Sequence, residues 1–218
     1  NKKGVLMDVT QAMTEEEGIK ASLLTPEDIN LACSLLYVAY KKDPVFEDIF
    51  EANKPDYEKR LRAAIREELH TFWTTHQPMI GLFSGEHLLG VACLIEPENG
   101  LSPDRFWHWR LKMMLNSGYI STKNMIEKEK RVAAAIPNKH YHLLTFIAIH
   151  PDHQHHGLGH YLIKAVDSIV NENEITEGVA VFVTKEKNMA LFDDDNYKIL
   201  DQITVGHVTG TLMFRDKD

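Results

Sequence analysis

The chain has 218 residues and a formal net charge of −8, from 24 Lys and Arg against 32 Asp and Glu. Hydrophobic residues make up 44% and charged residues 26%, the composition of a globular chain and not of a disordered one. The acidic balance argues against a non-specific nucleic-acid binder, and the longest aliphatic run, residues 91–95, is far short of the ~20 residues that cross a bilayer.

Residues 1–17 end in Glu15-Glu16-Glu17 and read as a loose arm with a short strand at 4–9. Its two lysines are followed by no apolar segment of signal-peptide type. Residues 18–218, free of repeats and linker-like stretches, read as one domain. Residues 18–24 form a first strand, and Thr25-Pro26-Glu27-Asp28 starts a helix, with Thr25 as N-cap, Pro26 at the first position and Asp28 reaching back. That helix carries Leu31, Leu35 and Val38 on one face. A second helix over 56–76 buries Leu61, Ile65, Leu69 and Phe72.

A hairpin follows, with strands at 79–83 and 87–95 around Ser84-Gly85-Glu86. Residues 102–137 are helical with a break near 116–118. Within them Phe106, Trp109 and Met113 form a stripe that is buried or lines a pocket, and 123–131 is a solvated charged face. Then come a strand at 140–149, a helix at 158–171, a strand at 179–184, a short helix at 189–195 and strands at 197–204 and 209–214. The order βααββααβαβαββ describes a mixed α/β (α+β) domain with a hairpin at each end of its sheet. Cys33 and Cys93 sit among apolar residues with no CxxC spacing, as reduced buried thiols of a cytoplasmic protein do.

The chemistry concentrates where the strand at 140–149 runs into the helix at 158–171. Gln154-x-x-Gly157-x-Gly159 lies at this junction. The N–H groups of a first helical turn have no partner inside the helix, and the macrodipole adds about half a positive charge there, so the junction suits an anion. Glycines let the backbone close around a pyrophosphate without side-chain clash. Neither the Gly-Lys-Ser/Thr of a P-loop nor a three-glycine dinucleotide fingerprint is present. Five histidines, His150, His153, His155, His156 and His160, crowd the segment. Without an HExxH or Cys/His framework they read as residues near phosphates, and no metal is expected.

In this segment, and in Glu186-Lys187-Asn188-Met189-Ala190-Leu191-Phe192 further on, the chain resembles the GNAT superfamily of acyl-CoA-dependent N-acyltransferases. The resemblance implies a GNAT-like central splayed β-sheet flanked by helices on both faces. It implies that the backbone at Ile147, Ala148 and Ile149 lies along pantetheine, with Ile147 and Ile149 pairing to its amides. It also implies that Gln154, His155, His156, Gly157, Leu158, Gly159 and His160 surround the pyrophosphate, that Asn188 bonds near the pantetheine arm, and that Phe192 lies beside the thioester sulfur. The implied cofactor is acetyl-CoA or CoA, as co-substrate.

Two departures stand out. The family's usual Tyr, which protonates the leaving thiolate, is replaced by Phe192, leaving water, Tyr119 or Tyr161 to stand in. An acid that some members carry on the fourth strand is replaced by Leu143, so the base comes from elsewhere, with Glu96, His142 and His140 as candidates by location. The family's Gly-Phe pair is Asn196-Tyr197 here, a mild change because Asn tolerates a left-handed backbone. The expected activity is acetyl transfer from acetyl-CoA to the amine of a small-molecule acceptor by direct attack in a ternary complex, with the Ile147 or Ile149 N–H polarising the carbonyl. The alternative is a non-catalytic acyl-CoA-binding sensor or partner protein. Neither nucleic acid nor membrane is an expected partner, and the chain is expected as a cytoplasmic monomer or homodimer.

Overall fold

A computed structural model of the chain describes residues 18–97, 118–154, 156–193 and 196–218. The arm at 1–17, with its expected strand, and the aromatic stretch at 102–117 lie outside the described residues. The elements are β1 (Ile19–Leu23), α1 (Ile29–Tyr40), α2 (Pro44–Ile49), α3 (Tyr57–Thr74), β2 (Met79–Ser84) and β3 (His87–Ile95). They continue with α4 (Tyr119–Ala135), β4 (His142–Ile149), α5 (Leu158–Glu172), β5 (Gly178–Val183), α6 (Ala190–Asp193), β6 (Lys198–Val205) and β7 (Val208–Asp216).

The strands form a seven-stranded sheet in the order β1-β2-β3-β4-β5-β7-β6. All pairs are antiparallel except β4–β5. The two expected hairpins, β2–β3 and β6–β7, flank the parallel pair, but only β6–β7 ends the sheet, because β1 pairs with the outer edge of β2. Helices cover both faces, as their apolar stripes require. On one face α1, α2, α3 and α4 bury Leu36, Phe46, Ile65 and Met125 against Val91, Cys93, Phe146 and Phe214. On the other, Leu162, Ile163 and Val166 of α5 pack against Ala92, Leu94, Leu144 and Met213. Neighbouring residues of β3 thus serve opposite cores, and this explains why its sequence is an uninterrupted apolar run.

Several boundaries and faces differ from the sequence reading. Thr25-N–H and the Thr25 hydroxyl both donate to Asp28 Oδ2, at 2.8 and 2.9 Å, but the turn they close is a 3₁₀ turn (Pro26–Asp28) leading into α1. On α1 the buried face is Ala32, Leu35, Leu36 and Tyr37, and Leu31 is 55% exposed. The stripe is rotated because Ala32, small enough to sit flat, faces the core. β4 begins at His142 and not at 140, since the Lys139 and His140 N–H groups turn aside to the Glu177 carboxylate. Helix α2 has no counterpart in the sequence reading. Asn196 adopts φ 60°, the left-handed conformation expected of it.

Candidate active site

Strand β4 stays paired to β3 through Gly90↔Ile149 but leaves β5 after Leu144↔Val181, so the two parallel strands share only three residue pairs. Beyond Leu144 the β5-facing edge of β4 is open. In an antiparallel pair alternate residues turn their N–H and C=O groups toward a given neighbour. Ile147 and Ile149 turn theirs to the open edge. There the Ile147 N–H donates to Tyr40 Oη at 3.0 Å, and Tyr40 Oη donates to Ile147 O at 3.1 Å. The Ile149 carbonyl accepts from Gln154 Nε2 at 3.2 Å.

The opening leads into a cleft of about 370 Å³ whose lining includes Ile147, Ala148, Ile149, Gln154, Gly157, Leu158, Gly159, His160, Asn188 and Phe192. These were read from separate stretches of sequence, and the fold gathers them because α5 and α6 both start at the mouth of the splay. Gly157 caps α5 with φ 75° and offers no side chain to its first-turn N–H groups. Gly159 is glycine for a different reason. A Cβ there would meet Leu191 Cδ1 at 2.4 Å. His156 is exposed and outside the lining, and His155 lies outside the described residues.

The candidate bases stand elsewhere. His142 is fully buried at the start of β4, its Nδ1 3.0 Å from the Thr176 hydroxyl. From it to Ile147 the strand rises about 17 Å at ~3.3 Å per residue. Glu96 follows β3 at the same end, its N–H held by Gln77 Oε1 at 2.8 Å, in a separate depression beside Trp73. His140 lies in the loop before β4, with its N–H on Glu177. Neither tyrosine considered as a stand-in acid lines the cleft. Tyr119 is 65% exposed on α4, and Tyr161 packs in the α5 core. Phe192 does line it, buried and edge-on to Tyr197 at 5.0 Å.

Four polar cleft residues had no role in the sequence reading: Tyr40, Asp43, Lys185 and Lys187. Asp43 caps α2, its Oδ1 accepting from the Val45 and Phe46 N–H groups at 3.0 and 3.2 Å, and its Oδ2 accepts from the Thr184 hydroxyl. The dipeptide Asp43-Pro44, an N-cap before a proline at the first helical position, was the available signal. Burial pushes the Lys185 ammonium below the ordinary lysine value, opposed by Asp43 and reinforced by Lys187. The two lysines give this net-acidic chain a locally cationic cleft wall. Among the described residues no three His, Cys, Asp or Glu side chains converge as metal ligands.

The opposite face of the splay holds a small apolar cavity of about 70 Å³, walled by Phe46, Phe72, Met125, Phe146 and Phe182, with Glu68 among its lining. The Tyr40 ring, which lines the cleft, stands 5.3 Å from Phe46 and 5.5 Å from Phe146 of this cavity's wall.

A splayed parallel pair beside a glycine-opened helix defines the acyltransferase fold class of the GNAT type. The acetyltransferase (GNAT) family model matches residues 46–193, and the chain belongs to that family. Its domains use acetyl-CoA as co-substrate, and the cleft fits one: an edge of outward-facing amides, an uncapped helix start and cationic walls. A search of curated proteins returned no significant match. The structure is similar to an acetyltransferase from Corynebacterium glutamicum described as histone acetyltransferase HPA2 and related acetyltransferase, with TM-score 0.68, 15% identity, and 92% and 97% of the two chains covered. It is also similar to a putative arylalkylamine N-acetyltransferase 7 of Aedes aegypti, with TM-score 0.65, 10% identity, and coverage of 92% and 88%. An acetyltransferase from Thermus thermophilus aligns with TM-score 0.54 and 14% identity over 91% and 96% of the chains. At these identities the likeness is one of fold. No helix among the described residues is long and apolar enough to cross a membrane.

Proposed function

We propose that the chain is an N-acetyltransferase that moves an acetyl group from acetyl-CoA to a small-molecule amine by direct attack in a ternary complex. The observation that carries the reading is the open edge of β4 facing the Gly157-led start of α5, one end suited to amides and the other to phosphates. Gln154, Gly157, Leu158, Gly159 and His160 hold the pyrophosphate, with Lys185 and Lys187 adding positive charge, and Asn188 and Phe192 border the arm's inner end. The Ile147 N–H polarises the thioester carbonyl, a donor aimed where negative charge develops. The amine approaches from the aromatic cavity on the far face of the splay. With Glu96 and His142 at the other end of β4, the ammonium loses its first proton to water before attack. The unpaired thiols Cys33 and Cys93 suit a reducing, cytoplasmic setting.

The test is calorimetry of the tag-free chain with acetyl-CoA and with CoA, in chelator, followed by thiol release against a panel of primary amines. Saturable one-to-one binding with amine-dependent thiol release is expected. Binding without thiol release selects the non-catalytic acyl-CoA-binding alternative, and no binding at millimolar ligand overturns both readings.

A further inference from the structure

The proposed transfer leaves one proton without a source. When the C–S bond breaks, the sulfur departs as a thiolate, and the position from which a hydroxyl was expected is Phe192. Among the described residues, the only tyrosine hydroxyl in the cleft lining comes from another part of the fold, the last residue of α1. Tyr40 Oη is held by both polar groups of Ile147, accepting at 3.0 Å and donating at 3.1 Å. This is the hydrogen-bond pattern of a backbone amide, made by a side chain at the open edge of β4. The ring is fixed by Phe46 and Phe146, so the hydroxyl points at the splay with little freedom to leave. An acyl arm entering from the Gly157 end passes Ile149 and arrives at Ile147 about 7 Å further along the strand, at ~3.3 Å per residue. Its thioester then meets the hydroxyl.

We propose that Tyr40 is the proton donor to the leaving thiolate, in place of the hydroxyl absent at 192. The inference rests on the N-acetyltransferase reading. As the amine nitrogen forms its bond to the carbonyl carbon, the thioester oxygen takes the Ile147 N–H from Tyr40, whose O–H turns from the Ile147 carbonyl to the sulfur. Collapse breaks the C–S bond, the electron pair goes to sulfur, and the Oη proton follows it to give the free thiol. The nitrogen, acidic once bound to carbon, returns its second proton to the phenolate, so amide and thiol leave and Tyr40 is restored. Burial pushes the Tyr40 phenol well above its ordinary value, so the hydroxyl carries its proton at neutral pH.

The experiment compares wild type, Tyr40→Phe, Phe192→Tyr and the double variant. Thiol release from acetyl-CoA is measured with 2-phenylethylamine and with hydroxylamine as nucleophiles, and acetyl-CoA binding by calorimetry. Tyr40→Phe is expected to lower kcat by about 100-fold, the lower end of general-acid effects, without weakening acetyl-CoA binding. In the Tyr40→Phe background, Phe192→Tyr is expected to recover about tenfold or more by offering a proton from the other side. An unchanged kcat with tighter binding would mean that the hydroxyl is only a plug on the strand edge, and overturns the assignment while the transferase reading stands. A loss of kcat that Phe192→Tyr does not relieve assigns Tyr40 to holding the splay and also overturns it. Wild type that binds no acetyl-CoA removes the reading on which the inference rests.

Discussion

At the scale of single residues, the two glycines of the loop do different work, and the difference is testable. Gly157 has open space where a Cβ would point but a φ of 75°, so only its backbone conformation demands glycine. A left-handed residue with a side chain costs roughly 1–2 kcal/mol, less for Asn. Gly157→Ala is therefore expected to weaken CoA binding about five- to thirtyfold and Gly157→Asn less, as read by calorimetry. Equal losses would mean that space and not conformation governs the position. The glycine spacing was legible in the sequence because loop chemistry is local. Tyr40 was not, because its partner Ile147 is 107 residues away and only the fold brings a helix end to that strand edge. Asp43 was hidden for the same reason, since its contact with Thr184 spans 141 residues.

At the scale of elements, long amphipathic segments announced themselves. The Leu61, Ile65, Leu69 and Phe72 stripe of α3 is buried as its spacing requires. Helix α2, six residues long, is too short to show a period, and the α1 face was misjudged because alanine does not stand out as a core residue. The same helix α3 presents Glu68 to the apolar cavity, opposite Glu129 and Lys128 of α4. Burial first, then the Glu129 charge, with Lys128 opposing, pushes the Glu68 carboxyl up to about 8. Between its ordinary 4.5 and that value the folded chain holds a proton that the unfolded chain has released. Stability therefore falls as pH rises through this window. Glu68→Gln removes the effect. The variant is expected to match wild type near pH 4 and to exceed it at pH 8, by roughly 2–4 °C in Tm for each kcal/mol relieved. Parallel thermal unfolding at the two pH values checks this, and equal Tm at pH 8 would show that Glu68 titrates in solvent.

At the scale of the whole molecule, the splay that makes the site is also a structural weakness. The β1–β4 and β5–β7 parts of the sheet are joined by only three residue pairs, so backbone hydrogen bonds unite them weakly. The side chains on both faces hold them together. On one side Leu212 and Phe214 of β7 share a core with Val91 and Cys93 of β3. On the other, α5 lies across the gap and buries Leu162 with Ala92 and Leu94 of one part and Val179 and Met213 of the other. The Arg215 guanidinium, on β7, adds a nearly buried ion pair 3.0 Å from Asp167 of α5. An open cleft is thus compatible with a cooperative fold, because the open edge of β4 is framed by helices that hold both parts. Leu162→Ala tests this directly: removing that fully buried side chain is expected to cost ~2–5 kcal/mol. Hydrogen exchange should then quicken in β3 and β7 together, by similar factors, since both rest on the same helix. Faster exchange in β3 with β7 still protected would show that the parts open independently and that the splay, not α5, sets the unit of unfolding.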